Sequence, residues 1–141
     1  MFKSFPNVTR VVGAFTVQAN NIMQIDKVID YFINKLGIVF YSHRVTYPMS
    51  LSAQVLPPEL KVKVVNRLEQ MKTEVLKYPL VQQHKLLETV TLQQIQDNIN
   101  FLESKCMYDT HWQDCINFNR ALDKTRSQDF LTTNPEFEPY V

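Results

Sequence analysis

Residues 8–46 carry a single strand-helix-strand pattern that the rest of the chain never repeats. Val8, Val11, Val12, Phe15 and Val17 form a β-branched and aromatic run too apolar for a strand wetted on one face, so it reads as a buried strand. Asn20-Asn21 marks a turn. Ile22, Ile25, Val28, Ile29, Phe32, Ile33 and Leu36 then recur at the spacing of an amphipathic helix, which Gly37 stops. Ile38 to Val45 supplies a second β-rich run. This order predicts parallel strands joined by a right-handed helical crossover. Two strands alone leave open edges and an uncovered apolar face, so cover is expected from elsewhere. It could come from another polypeptide, from self-association, from an N-terminal barrel half, or from the tail of the chain folding back.

After Tyr47-Pro48 the composition changes. A polar loop is expected through Leu56-Pro57-Pro58, with Pro58 and Glu59 suited to the first turn of a helix. Leu60, Val64, Leu68, Met71 and Val75 continue that helix until Pro79 interrupts. Leu86, Leu87, Val90, Ile95, Ile99 and Leu102 mark a second, and a third spans Thr110 to Lys124. The chain is therefore read as α/β and as one partial domain over 1–141. Residues 1–47 form the β-α-β unit and residues 48–141 a mainly helical closure.

A content of 45% hydrophobic and 11% aromatic residues supports a packed core. The formal charge of +1 lacks the positive field that draws a phosphate backbone, so no nucleic-acid partner is expected. Lys61, Lys63 and Arg67 read as the solvated face of their helix. No stretch approaches the roughly 20 apolar residues of a membrane helix, and Lys3, Ser4, Pro6, Asn7 and Arg10 interrupt any export signal. No membrane partner is expected. Two cysteines, Cys106 and Cys115, fit a reducing compartment, and the expected location is cytoplasmic. The only glycines are Gly13 and Gly37, so a glycine-rich phosphate loop is lacking.

His111 and Cys115 stand four apart and, with Cys106, could make an open metal site. Trp112 and Ile116 give the same helix a core to fill, and buried cysteine behaves as a small hydrophobe, so the residues are read as structural and no metal is assigned. Asp123 and Arg126, three apart, could pair locally, and Arg126 could instead clamp a carboxylate or Glu136; a structural tie for the tail is the favoured reading. His84, among Gln82, Gln83 and Lys85, is expected in solvent.

Several segments resemble a known family. Phe15-Thr16-Val17-Gln18-Ala19-Asn20, the helix ending at Leu36-Gly37, the strand ending at Tyr47-Pro48, and Leu51-Ser52 and Leu56-Pro57 with Lys61 resemble the C-terminal half of radical S-adenosylmethionine proteins. The tail, Leu122-Asp123-Lys124-Thr125-Arg126 followed by Phe130 and Asn134-Pro135-Glu136-Phe137, resembles the closing segment of phage and bacterial members with a twitch domain.

The resemblance implies the C-terminal part of a partial (β/α)6 barrel, whose complete form binds a [4Fe-4S] cluster and S-adenosylmethionine. The two strands here would be its fifth and sixth. Asn20 would match an asparagine that follows the fifth strand and contacts the cofactor; His43 and Arg44, adjacent on the sixth, are the other cofactor-binding candidates, one of them facing inward. The cluster requires a C-x3-C-x2-C loop, and this chain departs from the family by lacking it. An isolated chain without catalytic residues, cluster or cofactor of its own is therefore expected. The alternative is a small non-enzymatic interaction module that pairs an exposed sheet edge with a partner.

Overall fold

The computed structural model describes residues 11–141, and the expected start of the first strand at residues 8–10 lies outside them. Strand β1 (Val12–Val17) pairs in parallel with β2 (Val39–Arg44), in a register running from Val12 opposite Val39 to Val17 opposite Arg44. Registered partners point to the same face. One face thus carries Gly13, Phe15, Val17, Phe40, Ser42 and Arg44. The other carries Val12, Ala14, Thr16, Val39, Tyr41 and His43.

Among the described residues, the helices pack on the first face. The crossover consists of a 3-10 turn (Ile22–Gln24), helix α1 (Ile25–Asp30) and a π-helical turn (Tyr31–Lys35). Its Phe32 ring stacks on Phe40 with centroids 6.1 Å apart. Gly37, at φ 61°, ends this segment in the left-handed region, and a Cβ there would meet Leu80 at 2.7 Å. On the second face Val12 is 45% exposed, and Ala14, Thr16 and His43 are exposed too. The expectation that β1 is buried on both sides is therefore corrected: the crossover and the later helices all pack from one side. Among the described residues the sheet has two strands, and a partial barrel is not shown.

The linker after β2 is not the solvated loop its polarity predicts. Two 3-10 turns, Met49–Leu51 and Ala53–Val55, carry it inward, and Ser52, Ala53, Gln54, Val55 and Leu56 are buried. Burial is tolerated because the polar groups find partners. The Gln54 side chain donates to the Phe101 carbonyl and the Ser104 hydroxyl, both at 2.9 Å, and the Gln54 backbone carbonyl accepts from the Met107 amide at 3.0 Å.

Helices α2 (Pro58–Val75), α3 (Pro79–Gln83), α4 (Lys85–Ser104) and α5 (Tyr108–Arg126) follow. The stripe Leu60, Val64, Leu68, Met71 and Val75 is buried, as are Ile95, Ile99 and Leu102, whereas Leu86 is 62% exposed and lies off its expected stripe. The solvated face expected for Lys61, Lys63 and Arg67 holds for Lys63 alone. Lys61 is only 9% exposed and donates to the Lys105 carbonyl at 2.8 Å. Arg67 donates to the Met23 carbonyl at 2.9 Å and lies 3.6 Å from Glu136.

The tail, α6 (Phe130–Thr133) and a 3-10 helix (Pro135–Tyr140), folds back onto α5. Phe137 meets Trp112 edge-on at 5.3 Å, and the Trp112 indole donates to the Tyr140 carbonyl at 2.8 Å. The tail packs there, and Val12, Ala14, Thr16 and His43 on the second sheet face stay exposed, with Val39 and Tyr41 half-buried.

Candidate functional site

Asn20, His43 and Arg44 do not form one cluster. Asn21 braces the turn after β1, donating to the Thr16 carbonyl at 2.8 Å and accepting from the Gln18 amide at 3.0 Å. That turn sends Asn20 toward α5, where its side-chain amide donates to Asn119 Oδ1 at 2.9 Å. His43 lies opposite Thr16 on the uncovered face. Arg44 lies on the helix-covered face, with Nη1 buried and without a hydrogen-bond partner.

Around Asn20 the chain builds a cleft of about 400 Å³ between α5 and the tail. Two backbone carbonyls set the direction of its amides, since a carbonyl can only accept. Asn119 donates Nδ2 to the Cys115 carbonyl at 2.9 Å, which turns its Oδ1 to Asn20 Nδ2 and leaves Asn20 Oδ1 without a partner. Asn134 donates Nδ2 to the Phe130 carbonyl at 3.1 Å, and its Oδ1 is likewise unpartnered although the residue is only 3% exposed. Both asparagines line the cleft.

Asp123 and Arg126 line it too, but not as an ion pair. Asp123 Oδ2 accepts from the Phe130 amide at 3.0 Å, tying α5 to the tail directly. Arg126 is exposed and has no ion-pair partner among the described residues, while Glu136 pairs with Arg67 instead. The cleft is thus lined by Asp123, Asp129 and the exposed Arg126, while the two unpartnered asparagine oxygens are themselves buried.

No family model, curated protein or solved structure matches this chain.

The metal candidates are separated by burial: Cys106 is exposed and Cys115 buried. His111 Nδ1 lies 3.6 Å from Asp114 Oδ2. Burial pushes the Cys115 thiol up to about 12, against a weaker opposite pull from the Asn119 amide 3.6 Å from its sulfur. Burial lowers Lys61, and the neighbouring Cys106 works to raise it. Two cysteines cannot supply the three thiolates of a radical S-adenosylmethionine cluster, so this chain's own residues do not fit that group.

Asn119, Gln94 and Asn98 were not singled out by sequence. Gln94 Oε1 accepts from the Ser42 amide at 2.8 Å and its hydroxyl at 2.9 Å, and Asn98 donates to that hydroxyl at 2.9 Å. These contacts bring α4 against β2 and occupy a backbone donor that β1 does not use. Their signal was present: Asn98 sits beside Ile95, Ile99 and Leu102 on the apolar stripe, and Asn119 sits four residues after Cys115 on the Trp112 side of α5.

Proposed function

We propose that this chain provides the last two strands and the helical closure of a radical S-adenosylmethionine protein of the twitch-domain type, and that it acts only with a barrel half carrying the C-x3-C-x2-C loop. The observation that carries this reading is one-sided cover. Two parallel strands keep their helices on one face and leave Val12, Ala14, Thr16 and His43 exposed on the other.

A closing barrel strand has a neighbour on one side only, and the capping of β2 by Gln94 suits that position. β1 would then pair with the upstream half. In that assembly the exposed face becomes the barrel interior, with His43 directed inward and Arg44 toward the helices. Asn20 sits just past the end of β1. The cluster and the chemistry of S-adenosylmethionine belong to the partner half. A second reading, a non-enzymatic module that recruits a partner strand, draws on the same exposed face and on the lack of a thiolate set.

Anaerobic iron-sulfide reconstitution separates these readings. The chain alone is expected to assemble no stoichiometric [4Fe-4S] cluster and to leave S-adenosylmethionine intact. Co-expressed with a barrel half that carries the cysteine loop, it should co-purify and restore cofactor cleavage. Cleavage by this chain alone would overturn the reading, and co-purification without restored cleavage would favour the non-enzymatic module.

A further inference from the structure

Lys61 reaches from α2 to the connection between α4 and α5, where the fold sets an amine beside a thiol. Its Nζ donates to the Lys105 carbonyl at 2.8 Å, and that carbonyl belongs to the peptide bond leading into Cys106. The carbonyl takes one of three N–H groups, and Lys61 also interacts directly with the Cys106 side chain. The two residues differ in exposure: Cys106 is open to solvent, whereas Lys61 is 9% exposed. Both line a groove of about 500 Å³ walled by Val62, Val65 and Leu102. The carboxylate of that groove, Glu103, is exposed and makes no ion pair with Lys61 among the described residues, and Lys105 is exposed too. A small oxidant from solvent therefore reaches the sulfur, with the buried amine behind it.

We infer that Cys106 and Lys61 are a peroxide-driven modification site, at which oxidation of the thiol joins the two side chains through an S–N bond. In the first step hydrogen peroxide gives one oxygen to sulfur: the O–O bond breaks, Cys106 becomes a sulfenic acid, and water leaves. The sulfur loses two electrons and the peroxide gains them. In the second step the Nζ lone pair of Lys61 attacks the sulfur. The S–O bond breaks, the departing hydroxide takes a proton from the nitrogen, and a second water leaves. No further oxidant is consumed. The attack needs an uncharged amine, and burial lowers the proton affinity of Lys61 in that direction. Proximity supplies the rest, because the amine is held at the sulfur rather than gathered from solution. The bond ties α2 to the segment that leads into α5 and keeps Cys106 from passing on to a sulfinic acid. A small thiol opens it by taking the sulfur as a mixed disulfide and returning the free amine.

The test exposes the full-length chain to a slight excess of hydrogen peroxide near neutral pH, followed by mass spectrometry of the intact chain and of its peptides. The chain should become lighter by two hydrogen atoms, and the loss should map to peptides joined at Lys61 and Cys106. A Cys106–Cys115 disulfide has the same mass, so the joined peptides decide between them. Dithiothreitol should restore the original mass. In urea, where the fold no longer holds the pair together, the yield of the joined form should drop about tenfold or more. Lys105→Arg, at an exposed position, should form the bridge as the unsubstituted chain does. Lys61→Arg keeps a charged donor but removes the amine, so Cys106 should stop at a sulfenic acid that dimedone traps. The joined peptides of the unsubstituted chain identify the lysine even where that variant folds poorly. The inference is overturned if peroxide leaves Lys61 free while Cys106 becomes a sulfenic acid, a sulfinic acid or a disulfide. A bridge to Lys105 in place of Lys61, or an equal yield in urea, would overturn it as well.

Discussion

The ring of Phe32 lies so close over Gly13 that a Cβ on the glycine would stand 2.4 Å from it. No carbon atom fits there. The ring is also held against Phe40, in a stack tilted by only 5°, so it cannot retreat without disturbing the contact between crossover and sheet. Gly13→Ala should therefore destabilise the chain by about 1–3 kcal/mol through overpacking. Urea unfolding measures the loss, and Gly13→Ala combined with Phe32→Leu should recover part of it. An unshifted midpoint for the single variant would contradict this packing.

Gln94 is predicted to matter for β2 out of proportion to its partly exposed position. Gln94→Leu leaves the Ser42 amide and hydroxyl without their acceptor, at a cost of about 1–3 kcal/mol. Gln93→Ala, one residue earlier and exposed, should change stability by no more than about 0.5 kcal/mol. The variants are to be compared by denaturant midpoint and by sedimentation, since an uncapped edge also promotes self-association. Equal behaviour of the two would remove the edge role of Gln94.

The two thiols should differ in reactivity and in their effect on alkaline stability. At neutral pH an aromatic disulfide reagent should modify Cys106 rapidly and Cys115 only after denaturation, because one is exposed and the other buried. Burial raises Cys115 from its ordinary 9.0 to about 12, so the folded state retains a proton that the unfolded state releases. The stability this contributes is present below pH 9 and is lost as pH rises from 9 toward 12, on the order of a few kcal/mol in full. Tyr78, raised by burial and by its 2.8 Å bond to Asp30, loses stability in the same direction; Lys61, lowered by burial, acts oppositely. Cys115→Ala isolates the thiol: between pH 8 and 11, as a rough working range, its unfolding midpoint should fall less than that of the unsubstituted chain. Parallel falls would place Cys115 in a less buried setting.

Much of the fold was legible because local signals and tertiary demands agreed. The apolar spacing of Leu60, Val64 and Leu68, the proline at the start of α2 and the left-handed Gly37 all mark boundaries that the structure keeps. What was misread depended on partners remote in sequence. Gln54 and Lys61 are polar and read as solvated, yet Phe101, Ser104 and Lys105 on or just after α4 provide acceptors that permit their burial. The open face of β1 was read as buried because its residues are apolar, and no local feature says which face a helix will take. At the cleft, Asp123 and Arg126 were recognised as tail residues, but their spacing suggested an ion pair where the Phe130 amide holds Asp123 instead. Asn119 escaped notice because its role lies in an amide chain that only the fold brings together.

Amide hydrogen exchange across Val12–Val17 tests the split-barrel proposal most directly. The chain is measured alone and mixed with a barrel half bearing the C-x3-C-x2-C loop, with Ala14→Arg as a variant on the uncovered face. If β1 receives an upstream strand, exchange across Val12–Val17 should slow markedly on mixing, Val39–Arg44 should change less because Gln94 already caps Ser42, and Ala14→Arg should abolish the effect. Exchange at β1 that stays the same in a mixture where the two chains demonstrably associate would contradict the account.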